Sequence, residues 1–193
     1  LQRPGKVIGG SVRFMGEELL TKANAQMNTI RGKNISMIFQ NPTSCLNPLY
    51  TVGNQLSEAL RTHNKGISNK QAHKLSVKML EDLGISNAQQ RMKQYPHQLS
   101  GGMCQRVLIA MALICNPEFL IADEPTTALD VTTQAQILEL IKTFQKKNNM
   151  GMVFISHDLG LVGKICDTVS VMYAGKIVEQ GSVQSIFEMP AHP

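Results

Sequence analysis

Three short, mostly apolar runs, each followed at once by polar residues, constrain the fold of this chain more than any other feature. The runs are Ile35–Phe39, Phe119–Ala122 and Met152–Ile155. Segments with the apolar spacing of helices lie before the second run, between the second and the third, and after the third. Apolar strands separated by helices are typical of a parallel sheet that is covered on both faces. The chain is therefore predicted to have an α/β fold.

Polar side chains stand where each of these strands is expected to end. They are Gln40 after the first run, Asp123 and Glu124 after the second, and Ser156 and His157 after the third. In such sheets ligands bind at the carboxyl ends of the strands. A carboxylate there can hold Mg²⁺ through its water shell, while its neighbour accepts a proton from an attacking water. The alternative is that Asp123 caps the next element and Glu124 points to water.

Gln40 and His157 each allow two interpretations. Gln40 can simply terminate its strand, or it can contact a metal-bound water. His157 can be an interior histidine with satisfied hydrogen bonds, or it can donate to a phosphate at the edge of the sheet. Neither residue decides between these alternatives by itself.

A second candidate site precedes a strongly apolar helix predicted over Met103–Cys115. Ser100 is a natural N-cap for this helix, and Gly101 and Gly102 leave backbone N–H groups uncovered at the positive end of the helix dipole. This combination suits phosphate oxygens. The alternative is an ordinary capped helix.

The stretch between residues 43 and 100 has a helical character and is predicted to be a helical insertion. Its clearest signal is a capping box formed by Ser68 and Gln71, with Gly84 as the end of that helix. Towards the end of the chain, Ala174-Gly175 predicts the turn of a hairpin with strands at 169–173 and 176–180.

Composition excludes several classes of protein. With 193 residues, 42% of them hydrophobic and 17% charged, the chain is neither disordered nor a disulfide scaffold. Its longest apolar run, Val107–Cys115, is far shorter than the roughly 20 residues of a membrane-spanning helix, so any membrane link must run through a partner. The net charge of +5 is dispersed, which favours a solvated basic surface. The cysteines form no CxxC pair and are expected to be reduced packing residues.

Taken in order and spacing, these motifs resemble the ATPase subunit of ATP-binding cassette (ABC) transporters. The matching segments are Gln40, Leu99–Gly102, Phe119–Pro125, Ala128–Asp130 and Ile155–Asp158, and the match extends over nearly the whole chain. The resemblance implies a P-loop NTPase-type parallel sheet with helices on both faces and a helical signature-motif subdomain. Residues 1–193 would then be one incomplete nucleotide-binding domain, with the helical subdomain at about 43–102 and the catalytic core in 1–42 and 103–193.

The resemblance also implies a role for each candidate residue, with ATP and Mg²⁺ as cofactors. These roles are Gln40 in the Q-loop, Ser100, Gly101 and Gly102 in the signature motif, Asp123 as the Walker B acid, Glu124 as the catalytic carboxylate, Asp130 as the D-loop acid and His157 as the switch histidine. Asp123 and Gln40 would hold the metal largely through water. The ATP sites of the family are composite, because the signature motif of one subunit faces the P-loop of another.

Further segments of the sequence resemble one branch of this family, the dipeptide, oligopeptide and nickel importers. The segments that resemble this branch are Phe39–Pro42, Leu46–Pro48, Tyr95–Met103, Ala122–Val131 and Pro190–Pro193. The branch implies transmembrane permeases and a second ATPase subunit, identical or different, as partners, and a substrate-binding protein as an indirect one. It also implies a peripheral position at the cytoplasmic face of the cell membrane, without nucleic acid. Peptide and nickel both stay open as substrates.

The P-loop pattern GxxxxGK followed by Ser or Thr is not present in these 193 residues. The Gly-Lys pairs begin at Gly5, Gly32, Gly163 and Gly175, and none of them is followed by Ser or Thr. The first residue is Leu1 rather than Met. The chain is therefore expected to be an internal piece of a longer protein whose P-loop lies just upstream.

The preferred hypothesis is an importer subunit in which Glu124 polarises a water for attack on the γ-phosphate of ATP. One alternative is a truncated, catalytically impaired subunit that acts only as a partner in a heterodimer. The other is a soluble cassette ATPase that acts on nucleic acid or ribosomes, for which the basic charge is a weak indication. A segment of 43–100 is too short for the long coiled-coil insertion that such proteins often carry.

Overall fold

The computed structural model describes residue 5, residues 7–126 and residues 129–192. Several motif positions named above lie outside the described residues, namely Leu1, Thr127, Ala128 and Pro193. The α-helices are α1 (Asn24–Ile30), α2 (Pro42–Cys45), α3 (Val52–His63), α4 (Asn69–Asp82), α5 (Ala88–Arg91), α6 (Gly101–Leu113), α7 (Val131–Asn148), α8 (Leu159–Ile165) and α9 (Val183–Glu188), with a 3₁₀ helix at Pro96–Gln98. The strands are β1 (Arg13–Phe14), β2 (Glu17–Glu18), β3 (Ile35–Ile38), β4 (Phe119–Asp123), β5 (Gly151–Ile155), β6 (Thr168–Tyr173) and β7 (Lys176–Ser182).

The three predicted apolar strands form one parallel sheet in the order β3-β4-β5. Their register aligns Ile38 with Ala122 and Ala122 with Phe154, so that the three carboxyl ends lie side by side. The first strand ends one residue earlier than its apolar run, because Phe39 lies beyond the last ladder pair. The predicted α/β fold with a parallel sheet is confirmed.

The two faces of this sheet differ in burial. On one face Ile38, Leu120 and Ala122 are fully buried, and Ile38 and Leu120 belong to one hydrophobic cluster with residues of α6 and α7. On the other face Val153 and Ile155 are each 45% exposed. An open cavity of about 700 Å³ borders that second face, and its lining includes residues of α1, β3 and β4.

Helix α6 is the central element of the core. It is buried on almost every side, as its apolar sequence predicts, and its N-cap is Ser100, whose Oγ accepts a hydrogen bond from Met103 N at 3.3 Å. The helix ends at Leu113 rather than at Cys115, because Asn116 adopts a left-handed backbone (φ 50°) and a proline follows it.

Helices α3–α5 lie within the stretch predicted to be a helical insertion, and α2 begins one residue before it, at Pro42. The capping box of α4 is confirmed: Ser68 Oγ accepts from Gln71 N at 3.2 Å, and Gln71 Oε1 accepts from Ser68 N at 3.0 Å. Gly84 ends the helix with φ +72°. Buried residues of α3 and α4 share one hydrophobic cluster with α6 and β3, and a separate subdomain at 43–102 stays a prediction.

The predicted hairpin is confirmed as β6 and β7, an antiparallel pair separate from the parallel sheet. Its turn residues Ala174 and Gly175 both have positive φ, 48° and 77°, as a tight hairpin turn requires. The cysteines are free thiols, and burial raises the pKa of Cys104, Cys115 and Cys166. None of the helices in the described residues combines the length and apolar character needed to cross a membrane.

Candidate functional site

A cluster of three side chains lies where the parallel strands end. Gln40 Nε2 donates to Glu124 Oε2 at 2.6 Å, and His157 Nδ1 lies 3.0 Å from Glu124 Oε1. Each oxygen of the carboxylate therefore has its own partner, one after β3 and one after β5. The Glu124 side chain is 22% exposed and that of His157 is 70% exposed, so the cluster is open to ligand from the histidine side.

The register of the sheet brings these three residues together. Asp123, the last residue of β4, pairs with Ile155, the last residue of β5. Glu124 follows with φ 45°, in the left-handed region, and its N–H donates to the carbonyl of Ile155 at 3.0 Å. A left-handed backbone at a residue other than glycine costs about 1–3 kcal/mol and persists only where its surroundings hold it. Strain at the residue that carries the central carboxylate is typical of a functional position.

The charge of Glu124 acts on His157. The hydrogen bond to Glu124 raises the pKa of His157, and the negative charges of Glu124 and, less, of Asp158 act in the same direction. Donation from Nδ1 requires a proton on that nitrogen, which the imidazolium always has. The geometry thus couples the carboxylate of Glu124 to a histidine that holds its orientation.

The family resemblance assigns Asp123 and Gln40 to a metal ion, and this assignment stays a prediction. Gln40 uses its amide nitrogen on Glu124, which leaves its carbonyl oxygen for a metal-bound water. No group of three or more His, Cys, Asp or Glu within the described part of the chain could hold a metal ion. Oxygen donors suit Mg²⁺, which ordinarily keeps several waters and takes further ligands from phosphate groups. The donor set therefore fits Mg²⁺ that is held mainly by water and a nucleotide.

The predicted signature residues contact a different part of the molecule. A Cβ on Gly102 would meet Thr133 Cγ2 at 3.2 Å and Leu129 Cδ2 at 4.0 Å, so this glycine packs against the start of α7. A Cβ on Gly101 would meet nothing within 4 Å, and Gly101 is exposed. Ser100, Gly101 and Gly102 thus form an open helix N-terminus outside the hydrogen-bonded cluster of Gln40, Glu124 and His157.

Asp130 has a clear structural task. Its carboxylate accepts from Thr133 N at 2.9 Å and from Thr133 Oγ1 at 2.7 Å, which makes it the N-cap of α7. These two hydrogen bonds lower the pKa of Asp130. Its expected role towards nucleotide stays a prediction.

Sequence reasoning missed Gln105. This side chain is only 2% exposed, and its Nε2 donates to the carbonyl of Pro125, the residue after Glu124, at 2.6 Å. The available signal was an amide side chain inside a strongly apolar helix whose only other polar side chain beyond the cap, apart from Cys104, is Arg106. Nearby, Gln134 Nε2 donates to Thr126 Oγ1 at 3.1 Å.

Comparisons with known proteins identify the family of the chain. The family described as ABC transporter matches residues 2–127. The dipeptide transport ATP-binding protein DppD of Bacillus subtilis (strain 168) is 54% identical over 188 residues, which cover 97% of this chain and 56% of that protein. The oligopeptide transport ATP-binding protein OppD of Salmonella typhimurium is 52% identical over 186 residues, covering 96% of this chain and 55% of that protein. The chain thus spans a little more than half the length of these relatives.

Solved structures resemble the fold as well. The dimeric post-hydrolysis state of the ATP-binding cassette MJ0796 bound to ADP and Pi superimposes with a TM-score of 0.82 at 26% identity, covering 91% of this chain and 74% of that one. The cbiO1 protein from Clostridium perfringens, part of the ABC transporter complex cbiONQ, gives a TM-score of 0.78 at 26% identity and covers 94% of this chain and 69% of that one. On the family match and these close relatives, the chain belongs to the ABC transporter family.

Proposed function

We propose that the whole protein is the ATP-hydrolysing subunit of an ABC importer for peptides. The observation that carries the proposal is the carboxylate of Glu124, held by Gln40 and His157 at the carboxyl end of a parallel sheet. The curated relatives described above are named for dipeptide and oligopeptide transport, which favours peptides over nickel as the substrate class.

Each residue of the cluster has a chemical task in this proposal. Glu124 accepts the proton of the attacking water, since it is a carboxylate whose orientation is fixed from both sides. His157 holds Glu124 and turns its other ring nitrogen towards the phosphate. Gln40 and Asp123 would hold Mg²⁺ largely through water, and the bound ion would offset the charge on the phosphate oxygens.

The signature segment serves a second nucleotide site. Ser100, Gly101 and Gly102 present an open helix N-terminus, where backbone N–H groups and the helix dipole favour phosphate oxygens. Because this segment lies outside the Glu124 cluster, we assign it to ATP that is held by a partner ATPase subunit. The permeases would contact the groove near Gln40, at the cytoplasmic face of the membrane.

The full-length protein with Glu124→Gln tests the assignment of the base. ATP hydrolysis is expected to fall about 100-fold or more, because the amide cannot accept the proton. Binding of a fluorescent ATP analogue should be retained, since the amide keeps the size of the side chain. Glu139→Gln, an exposed change on α7, is the matched control and should hydrolyse ATP normally. Normal hydrolysis by the Glu124→Gln protein would show that another residue is the base.

The same preparation distinguishes the remaining alternatives. If the unsubstituted full-length protein binds a partner subunit but hydrolyses no ATP, the impaired-partner alternative is correct. Co-purification with RNA instead of with membrane permeases would favour a soluble cassette ATPase.

A further inference from the structure

The buried amide side chain of Gln105 makes a hydrogen bond to the backbone next to the proposed base. An amide side chain buried in an apolar core is unfavourable unless it is hydrogen-bonded. The bond from Gln105 Nε2 to the carbonyl of Pro125 is short, at 2.6 Å, and Pro125 itself is buried. The pairing therefore joins α6 directly to the residue that follows Glu124.

This bond and a second one enclose the strained residue. On the N-terminal side, the N–H of Glu124 donates to the carbonyl of Ile155 at 3.0 Å. On the C-terminal side, the carbonyl of Pro125 accepts from Gln105. Between them the backbone of Glu124 has φ 45°, a conformation that needs support from its surroundings. The two bonds supply that support, one from β5 and one from α6.

The helix that carries Gln105 also begins with the proposed signature segment. Gln105 lies four residues after Gly101, the first residue of α6, which places it about 6 Å along the same helix axis at 1.5 Å per residue. Gly102 packs against Thr133 of α7. One continuous helix and one hydrogen bond therefore join the N-terminus of α6 to Pro125.

We propose that Gln105 is a positioning residue for hydrolysis: through the carbonyl of Pro125 it fixes the turn that presents Glu124 and links this turn to Ser100, Gly101 and Gly102. The inference rests on the proposed function, because it requires Glu124 to act as the base. Gln105 itself does not touch the reacting atoms.

Replacing Gln105 in the full-length protein tests the proposal. Gln105→Met keeps the length and bulk of the side chain but removes the donor. The kcat for ATP hydrolysis is expected to fall about 10- to 100-fold, the effect of a small misplacement of a catalytic group, while KM for ATP changes less than about twofold. The matched control is Gln55→Met on α3, since Gln55 is also buried (6% exposed) and also donates to backbone carbonyls, those of Asn47 and Tyr50. It should lower the unfolding midpoint without changing kcat.

Gln105→Glu adds a readout that a purely structural role would not move. Burial raises the pKa of a carboxyl group, and only the protonated form can donate to the Pro125 carbonyl. The ratio of kcat for Gln105→Glu to that of the unsubstituted protein should therefore rise as the pH falls from 8.5 to 6. The corresponding ratio for Gln105→Met should stay constant over this range.

Three outcomes would overturn the inference. The first is an unchanged kcat in Gln105→Met. The second is that Gln105→Met loses kcat and nucleotide affinity together and Gln55→Met, with the same unfolding midpoint, loses both to the same extent. The third is that the ratio of kcat for Gln105→Glu to kcat for the unsubstituted protein does not change with pH. If Glu124→Gln abolishes hydrolysis while Gln105→Met does not slow it, only this inference fails. If Glu124→Gln hydrolyses ATP normally, Glu124 is not the base, and this inference fails together with that assignment.

Discussion

At the scale of single residues, Glu124 determines the electrostatics of the site. Its two oxygens are bonded to Gln40 and His157, and its backbone is held in the left-handed region. The carboxylate of Glu124 changes the protonation of His157, because the hydrogen bond between them is the main cause of the raised pKa of His157. A raised pKa in the folded state means that His157 contributes to stability below its unfolded pKa of about 6.5. This contribution is lost as the pH rises through the higher folded value.

The Glu124→Gln protein should therefore titrate differently at His157. Removing the carboxylate weakens both of the largest causes of the shift, so the pKa of His157 should fall towards the ordinary value of a histidine. Titration of the imidazole carbon-bound protons by NMR measures this change. Glu139→Gln should leave the titration of His157 unaltered, and an unaltered titration in Glu124→Gln as well would contradict the contact.

At the scale of elements, the start of α6 depends on two glycines with different surroundings. A Cβ at position 101 would enter open space, whereas at position 102 it would press on Thr133 Cγ2 at 3.2 Å. Alanine is favoured over glycine in a helix by up to about 1 kcal/mol, and crowding in a packed region opposes this gain. Substitution by alanine is therefore expected to affect stability differently at positions 101 and 102.

Gly102→Ala is expected to be about 1 kcal/mol less stable than Gly101→Ala in chemical denaturation. Adding Thr133→Ser to Gly102→Ala should recover most of the difference, because serine removes Cγ2 but keeps the hydroxyl that donates to Asp130. Thr133→Ser alone serves as the control. Equal unfolding midpoints for the two alanine variants would mean that α6 and α7 separate easily at this contact.

Patterns within single elements were predictable from the sequence. Ser100, Ser68 and the Ala174-Gly175 turn each act over three or four residues, so the local pattern alone identified them. The cap at Asp130 satisfies the same local rule, yet the sequence interpretation gave it only a nucleotide role. The Gln105–Pro125 hydrogen bond was not predictable, because it joins α6 to a loop residue 20 positions further along the chain.

At the scale of the whole molecule, the signature segment and the Glu124 cluster are distinct surfaces. This arrangement suits a nucleotide sandwiched between two subunits, with Ser100, Gly101 and Gly102 of one facing the phosphates held by the other. In the proposed function, the same chain would then supply the carboxylate of one nucleotide site and the helix N-terminus of another.

The full-length Glu124→Gln protein should therefore form a dimer with ATP and Mg²⁺ on size exclusion. Adding Gly101→Glu should abolish that dimer, because a carboxylate there repels the phosphates, although the site has space and the helix dipole favours the charge locally. Gly66→Glu, also in open space, adds the same charge as a control. A persistent ATP-dependent dimer in Gly101→Glu would place the interface elsewhere.

The sequence by itself determined the parallel α/β fold, the helix caps at Ser68 and Ser100, the hairpin turn and the candidate residues at the strand ends. These features depend on hydrophobic periodicity and on side chains acting over a few neighbouring residues. Only the tertiary structure decided that Gln40, Glu124 and His157 meet, because their bonds join residues 84 and 33 positions apart and follow from strand register. It also decided the left-handed turn at Glu124 and its support by Gln105, since a strained backbone is held by contacts from β5 and α6 that no local pattern encodes.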